Sequence, residues 1–388
     1  MSKDLTTSWL NEVVGFENPK PGLSRVKFAI GHLDLKPNCK IITISGTNGK
    51  GSTTRMLSSV LAQQHNTAQF TSPHLKSITE RFVYNGNEIE EAIMLSILKD
   101  VFYKIKEQGV HLSFFEVLFL GFLKWINALD PKYIVLEVGL GGKYDATNAL
   151  DCDIAIITSI GRDHQSFLGK RYDGILVEKI GISRANRPLI TNFSLRYLNS
   201  LVKSHKNKIK FTWIDQSNNT KQNFHEVNTG LVRGALELLN LDHNITISYI
   251  SAPQIYENKN IYLYGSHNLD AVRKLVQFLS ETHYNNENND NILDLIYLSF
   301  SQREKKEIDQ MIKLYLSLVN NNKEKLILTC FDHFKSANPK MIKEIAIENG
   351  IEFVTENTNI FKNKKYKNIL CSGSNYFIGA LKSKYNFK

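Results

Sequence analysis

The chain has 388 residues, 42% of them hydrophobic and 22% charged, with a formal net charge of +10. That much apolar material excludes a disordered chain, and the length calls for two or three cores rather than one. The four cysteines at 39, 152, 330 and 371 have no C-x-x-C spacing, so neither a disulfide frame nor a zinc site is indicated.

In chain order, residues 41–45, 133–138, 154–159 and 188–191 are short, β-branched-rich runs flanked by Gly, Asp or Asn, the pattern of buried parallel strands. Between them, residues 53–64, 92–108, 115–128 and 172–180 carry apolar residues at helical spacing. Strand and helix alternate, which predicts a doubly wound α/β lobe. A further helix is expected at 227–239, and 244–260 is polar and expected to be irregular, so lobes of 1–250 and 256–388 are predicted. Beyond the boundary, strands are expected near 261–264, 293–299, 325–330, 351–354 and 368–371, with helices at 269–280 and 304–319. The Asn-rich run 284–291 is expected to be a surface loop.

No apolar leader opens the chain, and the greasiest stretch, 114–126, is interrupted by Glu116 and Lys124, so a cytoplasmic protein without a membrane span is expected. The lysines between 305 and 367 have few aromatics among them, which makes them a solvated face rather than a nucleic-acid surface.

The strongest chemical signal is Gly46-Thr47-Asn48-Gly49-Lys50-Gly51-Ser52-Thr53, a glycine-rich turn between a strand and a helix. Glycines let backbone N–H groups converge on phosphate oxygens at a helix N-terminus, where the dipole also favours negative charge. Lys50 would supply a cation to the transferred phosphate, and Ser52 or Thr53 a hydroxyl to Mg²⁺. The spacing departs from G-x-x-x-x-G-K-[ST], because Gly51 separates the lysine from the hydroxyl residues.

This loop resembles that of the Mur ligase superfamily, and the matches that follow resemble folylpolyglutamate synthase/dihydrofolate synthase in particular. They are Ser72-Pro73-His74-Leu75 with Glu80-Arg81, Ser113-Phe114-Phe115-Glu116, the stretch from Glu137 to Asn148, Asp163-His164, and Glu178-Lys179-Ile180-Gly181. The match is dense from 41 to 182, moderate to 268 and topological beyond; Lys143 stands where the family has arginine.

The resemblance implies a P-loop ATPase lobe and a smaller Rossmann-like α/β lobe, with ATP between them. It implies nucleotide contacts from residues 46–53, Asn228 and His267, and metal ligands Ser52, Ser72, Glu137, His164 and Lys179 for two Mg²⁺ ions. It places Arg81, Ser113, Phe114, Phe115, Glu116, Tyr144, Asp145 and Ala146 at the pterin substrate, with Ser113 and Glu116 equally readable as a helix cap. Lys50, Lys179, His164 and His267 become the catalytic set, and Lys179 is either carbamylated or an orienting cation for the γ-phosphate. Two nucleotide contacts are changed: Tyr264 stands where the family has its ribose-binding Asp, and Ala252 where it has Arg.

The implied reaction adds L-glutamate to dihydropteroate, or to the γ-carboxylate of a folate, through an acyl phosphate. A monomer with folate, glutamate and ATP as partners, and no nucleic acid or membrane, is the corresponding expectation. Two rival readings are a Mur-type peptide ligase, which the missing UDP-binding N-terminal domain opposes, and a nucleotide-binding scaffold without catalysis, which Tyr264 and Ala252 suggest.

Overall fold

A strand buried on both faces must pair every backbone N–H and C=O with its neighbours, and short Ile- and Val-rich runs separated by helices achieve this as parallel sheets. The computed structural model describes residues 4–18, 20–169, 171–217, 222–242, 253–283, 293–385 and 387. It divides into two units, Met1–Ser248 and Tyr249–Lys388, each with its own sheet.

The first unit runs α1 (Leu5–Val13), α2 (Ser24–His32), β1 (Lys40–Ser45), α3 (Lys50–Leu61), β2 (Thr67–Phe70), β3 (Phe82–Tyr84), β4 (Asn87–Glu88), α4 (Glu91–Lys106), α5 (Phe114–Asn127) and β5 (Tyr133–Glu137). It continues with β6 (Ile154–Ile157), α6 (Gln165–Leu168), α7 (Tyr172–Ile180), β7 (Pro188–Thr191), α8 (Arg196–Ile209), β8 (Thr212–Asp215) and α9 (Phe224–Leu238). Its sheet has the order β4-β3-β2-β5-β1-β6-β7-β8. Strands β2 to β8 through β5 and β1 are parallel, and β3 and β4 form an antiparallel edge.

Successive side chains of a strand point to opposite faces, and β1 and β5 show it. Ile42, Ile44 and Val135 pack with Leu57, Leu231 and Ala235 of α3 and α9. Ile134 and Leu136 pack on the other face with Phe70, Phe82 and the apolar side of α5. The greasy stretch 114–126 is therefore a core helix, and among the described residues no helix is long and apolar enough to cross a membrane. The register Ile44↔Glu137 and Ser45↔Ile157 ends β5, β1 and β6 at one edge, where their three loops emerge together. Strand order reverses at β1, and open α/β sheets bind ligands beyond the carboxyl ends of strands at such a point.

The second unit contains β9 (Gln254–Tyr256), β10 (Lys259–Leu263), α10 (Leu269–His283), β11 (Leu295–Leu298), α11 (Lys305–Leu318), β12 (Leu326–Leu328), α12 (Pro339–Asn349), β13 (Glu352–Phe353), β14 (Asn368–Ser372) and α13 (Asn375–Lys384). Its order is β13-β12-β11-β14-β10-β9, parallel except for the β9–β10 hairpin. One expectation is corrected here: 244–260 is not irregular throughout, because Gln254–Tyr256 pairs antiparallel with the following strand across a tight turn. Ser251, Ala252 and the Asn-rich run 284–291 lie outside the described residues.

Candidate active site

The turn after β1 takes its shape from steric constraints. Gly46 and Gly49 have φ of 151° and 90°, in the region that side chains avoid. A Cβ on Gly46 would collide with Thr158 Oγ1, and one on Gly49 would lie 2.7 Å from Asn228 Oδ1. The loop is stitched to the segment after β6: Thr47 N–H donates to Ser159 O at 2.9 Å, Thr158 Oγ1 to Asn48 O at 2.7 Å, and Thr47 Oγ1 to Gly161 O at 3.0 Å. Gly49 then caps α3, so the helix begins at Lys50 with its unpaired amides and positive dipole end beside the turn.

Gly51 accounts for the unusual spacing of the motif. A Cβ there would stand 3.2 Å from Glu137 Oε2 and 3.2 Å from Arg55 Nη1, so a side chain would press on both charged groups. Ser52, the next residue, is exposed, whereas Thr53 is fully buried and its Oγ1 finds no hydrogen-bond partner. Of the two candidate hydroxyls, the accessible one is Ser52.

Glu137 closes β5 and is 4% exposed. Burial pushes its pKa upward, opposed by the charges of Lys50 and Arg55, and Ser72 N–H donates to its Oε2 at 3.0 Å. A buried carboxylate, a backbone turn and a neighbouring hydroxyl are hard oxygen donors of the type Mg²⁺ takes, so these residues fit a divalent cation. They are not a carboxylate cage: among the described residues no group of three or more His, Cys, Asp or Glu is gathered. Gly51, Ser72 and Glu137 meet. His164, in contrast, faces solvent with its side chain 55% exposed and its Nε2 3.9 Å from Asp163 Oδ2.

Lys179 is 2% exposed on α7, and its Nζ donates to Gly46 O at 2.8 Å. Burial and the nearby Lys50 lower its pKa to about 7, against the pull of Asp163, Glu178 and Asp145. A substantial share of such an amine is neutral and nucleophilic near physiological pH. Lys50 Nζ turns back to Thr47 O at 3.2 Å.

Of the residues expected at the pterin, Tyr144 is exposed and Phe115 half-buried, while Arg81, Ser113, Phe114, Glu116, Asp145 and Ala146 are buried. Glu116 is buried, accepts from Ser113 N–H at 2.7 Å and pairs with Arg25 Nη2 at 2.9 Å. With Ser113 it forms the capping box of α5. Asp145 accepts from Leu140 N–H at 2.9 Å, Thr147 N–H at 3.0 Å and Thr147 Oγ1 at 2.7 Å. Arg81 is wholly buried, bidentate on Glu17 at 3.0 and 2.9 Å, donating to His74 Nδ1 at 2.9 Å and lying 5.9 Å from the Phe114 ring. Phe115 packs on Gly139, where a Cβ would come within 2.6 Å of its ring. Tyr144 is 47% exposed with Lys143 Nζ 4.9 Å from its ring, and Ala146 is buried in the turn that follows.

In the second unit, His267 Nδ1 lies 2.9 Å from Gly265 O and 3.4 Å from Asn375 Nδ2. Asn268 is buried and accepts from Ala271 N–H at 2.9 Å, while burial raises the Tyr264 hydroxyl to about 12. The residues that sequence reasoning missed are Glu17, Arg25 and Arg55. No local motif announces them; they are visible only as partners of Arg81, Glu116 and Glu137.

The chain is 38% identical to the dihydrofolate synthase/folylpolyglutamate synthase of Buchnera aphidicola subsp. Baizongia pistaciae over 51% of its own length and 47% of that relative. The match thus spans about half of that protein. The enzyme of the same name from Bacillus subtilis is 24% identical over 97% of both chains. A solved Yersinia pestis bifunctional folylpolyglutamate synthase/dihydrofolate synthase, complexed with AMPPNP and Mn ion, has the same fold, with a TM-score of 0.78 at 22% identity over 98% of this chain and 97% of that one. The Mur ligase middle domain matches residues 44–270, well over half of the 388, and the chain therefore belongs to the Mur ligase family.

Proposed function

We propose that this chain is an ATP-dependent ligase that joins L-glutamate to dihydropteroate, to the γ-carboxylate of a folate, or to both. The observation that carries the reading is the meeting of the β1–α3 turn, the Glu137 carboxylate and the buried Lys179 amine at one sheet edge. The names of the Buchnera and Bacillus relatives supply the substrate class.

In this mechanism the first-turn amides of α3 and Lys50 receive the triphosphate, and Asn228, packed against Gly49, fixes that end of the loop for the nucleotide. Glu137, Ser52 and Ser72 would hold one Mg²⁺, and His164 with a carbamylated Lys179 a second. The ions, when bound, neutralise the phosphate oxygens and the incoming carboxylate. A carboxylate oxygen of the pterin acid attacks the γ-phosphorus, the bond to the β-phosphate oxygen breaks, and ADP leaves with that electron pair. Both reactants are anions, so the positive field of Lys50 and the helix dipole acts most strongly in the transition state. The amine of glutamate then attacks the acyl carbon, losing a proton as inorganic phosphate departs. Ser113, Phe114, Phe115, Tyr144 and Ala146 are assigned to the pterin and aminobenzoate rings. Glu116, Asp145 and Arg81 act on that pocket by fixing its walls.

The lowered pKa of Lys179 supports a carbamate there: the neutral Nζ can add to CO₂, release a proton and become an anionic oxygen donor, whereas an unmodified Lys179 would instead orient the γ-phosphate.

The test is ADP release by purified protein given ATP, Mg²⁺ and glutamate with dihydropteroate or tetrahydrofolate in turn. Release that requires both acid and glutamate, with a glutamylated product by mass spectrometry, is expected. Nucleotide binding without product from either acid overturns the proposal.

A further inference from the structure

We propose that Glu80 is a positioning residue that clamps the loop 72–77 and so holds Ser72 against Glu137, setting the affinity of that site for a divalent cation. The inference rests on the reading of Glu137 and Ser72 as the cation site.

The loop joins β2 to a single 3-10 turn, Ile78–Arg81, and its backbone is tied down by two adjacent residues of opposite charge. The Glu80 carboxylate accepts from three successive amides: Leu75 N–H at 2.8 Å on Oε2, then Lys76 N–H at 2.7 Å and Ser77 N–H at 3.0 Å on Oε1. Charge-assisted bonds of this length are about twice as strong as neutral ones. The main chain of the same residues holds the other end of the loop, with Thr71 Oγ1 donating to Glu80 O at 3.1 Å and Thr71 N–H to Arg81 O at 3.2 Å. Arg81 fixes His74 from the side and is itself anchored by Glu17.

Ser72 therefore lies between two pinned points, and its N–H reaches Glu137 Oε2 at 3.0 Å. Capping alone does not account for the arrangement. Glu116 performs that task for the 14-residue α5 with one amide of its own loop, whereas Glu80 collects three amides ahead of a turn of four residues. The extra bonds act on the loop that carries Ser72. Outer partners that orient a ligand typically govern metal affinity by about 10- to 100-fold.

The experiment is Mn²⁺ titration by electron paramagnetic resonance on the full-length protein with ADP, beside amide hydrogen exchange over residues 72–77. Glu80→Ala is expected to weaken Mn²⁺ binding by about 10-fold or more and to speed exchange in that loop. Glu80→Gln keeps one acceptor oxygen, and should fall between Ala and wild type; it also serves if the Ala variant does not fold. Mn²⁺ affinity within about twofold of wild type in a folded variant with faster exchange overturns the role of Glu80 and leaves the cation site standing. Wild-type protein that binds no Mn²⁺ with ADP present removes the site itself, and the inference with it.

Discussion

Two glycine-rich turns leave neighbouring strands at the same sheet edge and are filled in opposite ways. After β1, residues 46–49 curve around Thr158 and Asn228 and end at the α3 N-terminus, with the Lys50 cation and the Lys179 amine alongside. After β5, residues 139–145 curve around their own carboxylate, Asp145, which takes the amides of Leu140 and Thr147. Glycine sets only the backbone path; the charge standing beside the turn decides whether it completes itself or is open to an outside anion.

Lys50→Ala puts the largest strain on this contrast. Turnover should fall by about 100- to 1,000-fold with the urea midpoint unchanged, because a preorganised charge is removed from the transition state and little packing is lost. Retained turnover would mean that the first turn is not the anion site. Asp145→Ala should instead cost stability, about 1–3 kcal/mol by urea unfolding, since buried donors lose their acceptor. Loss of activity at wild-type stability would return Asp145 to the substrate and dissolve the comparison.

The smallest effect concerns pH. Lys179 titrates near 7 when folded against 10.5 when free, so between those values the unfolded chain binds more protons. Stability therefore rises with pH in that window, and below it the full penalty of burying the amine applies. Relative to Lys179→Met, wild type should gain about 1 kcal/mol per pH unit between pH 7.5 and 8.5 in denaturant unfolding. Parallel curves would show that the amine is not desolvated.

The legible part of the fold lay where one chemical rule acts locally. Residues 133–137, 172–180 and 188–191 carry their periodicity in the side chains themselves, and the observed ends fall within a residue or so of the expectation. β2 was not recognised because it is four residues long and places a polar Gln69 inside, where Ser58 Oγ meets it. α8 and β8 were missed although Leu198, Leu201, Val202 and Ile209 share one helical face, because the residues around them are mostly exposed and the strand that follows is only four residues long. Within the site, the glycine turn and Glu137 could be found from sequence because strand ends are found from sequence. The cap formed by Ser113 and Glu116 was legible because its partners stand three residues apart, whereas the ties of Glu116 to Arg25 and of Arg81 to Glu17 were not, since those partners lie more than sixty positions away in the chain.

The bond from Lys179 to Gly46 crosses 133 positions of sequence. An uncharged primary amine carries two hydrogens, and addition of carbon dioxide consumes one of them. The remaining N–H would suffice for the Gly46 carbonyl, so the proposed carbamate on Lys179 would keep the tether between α7 and the β1–α3 turn.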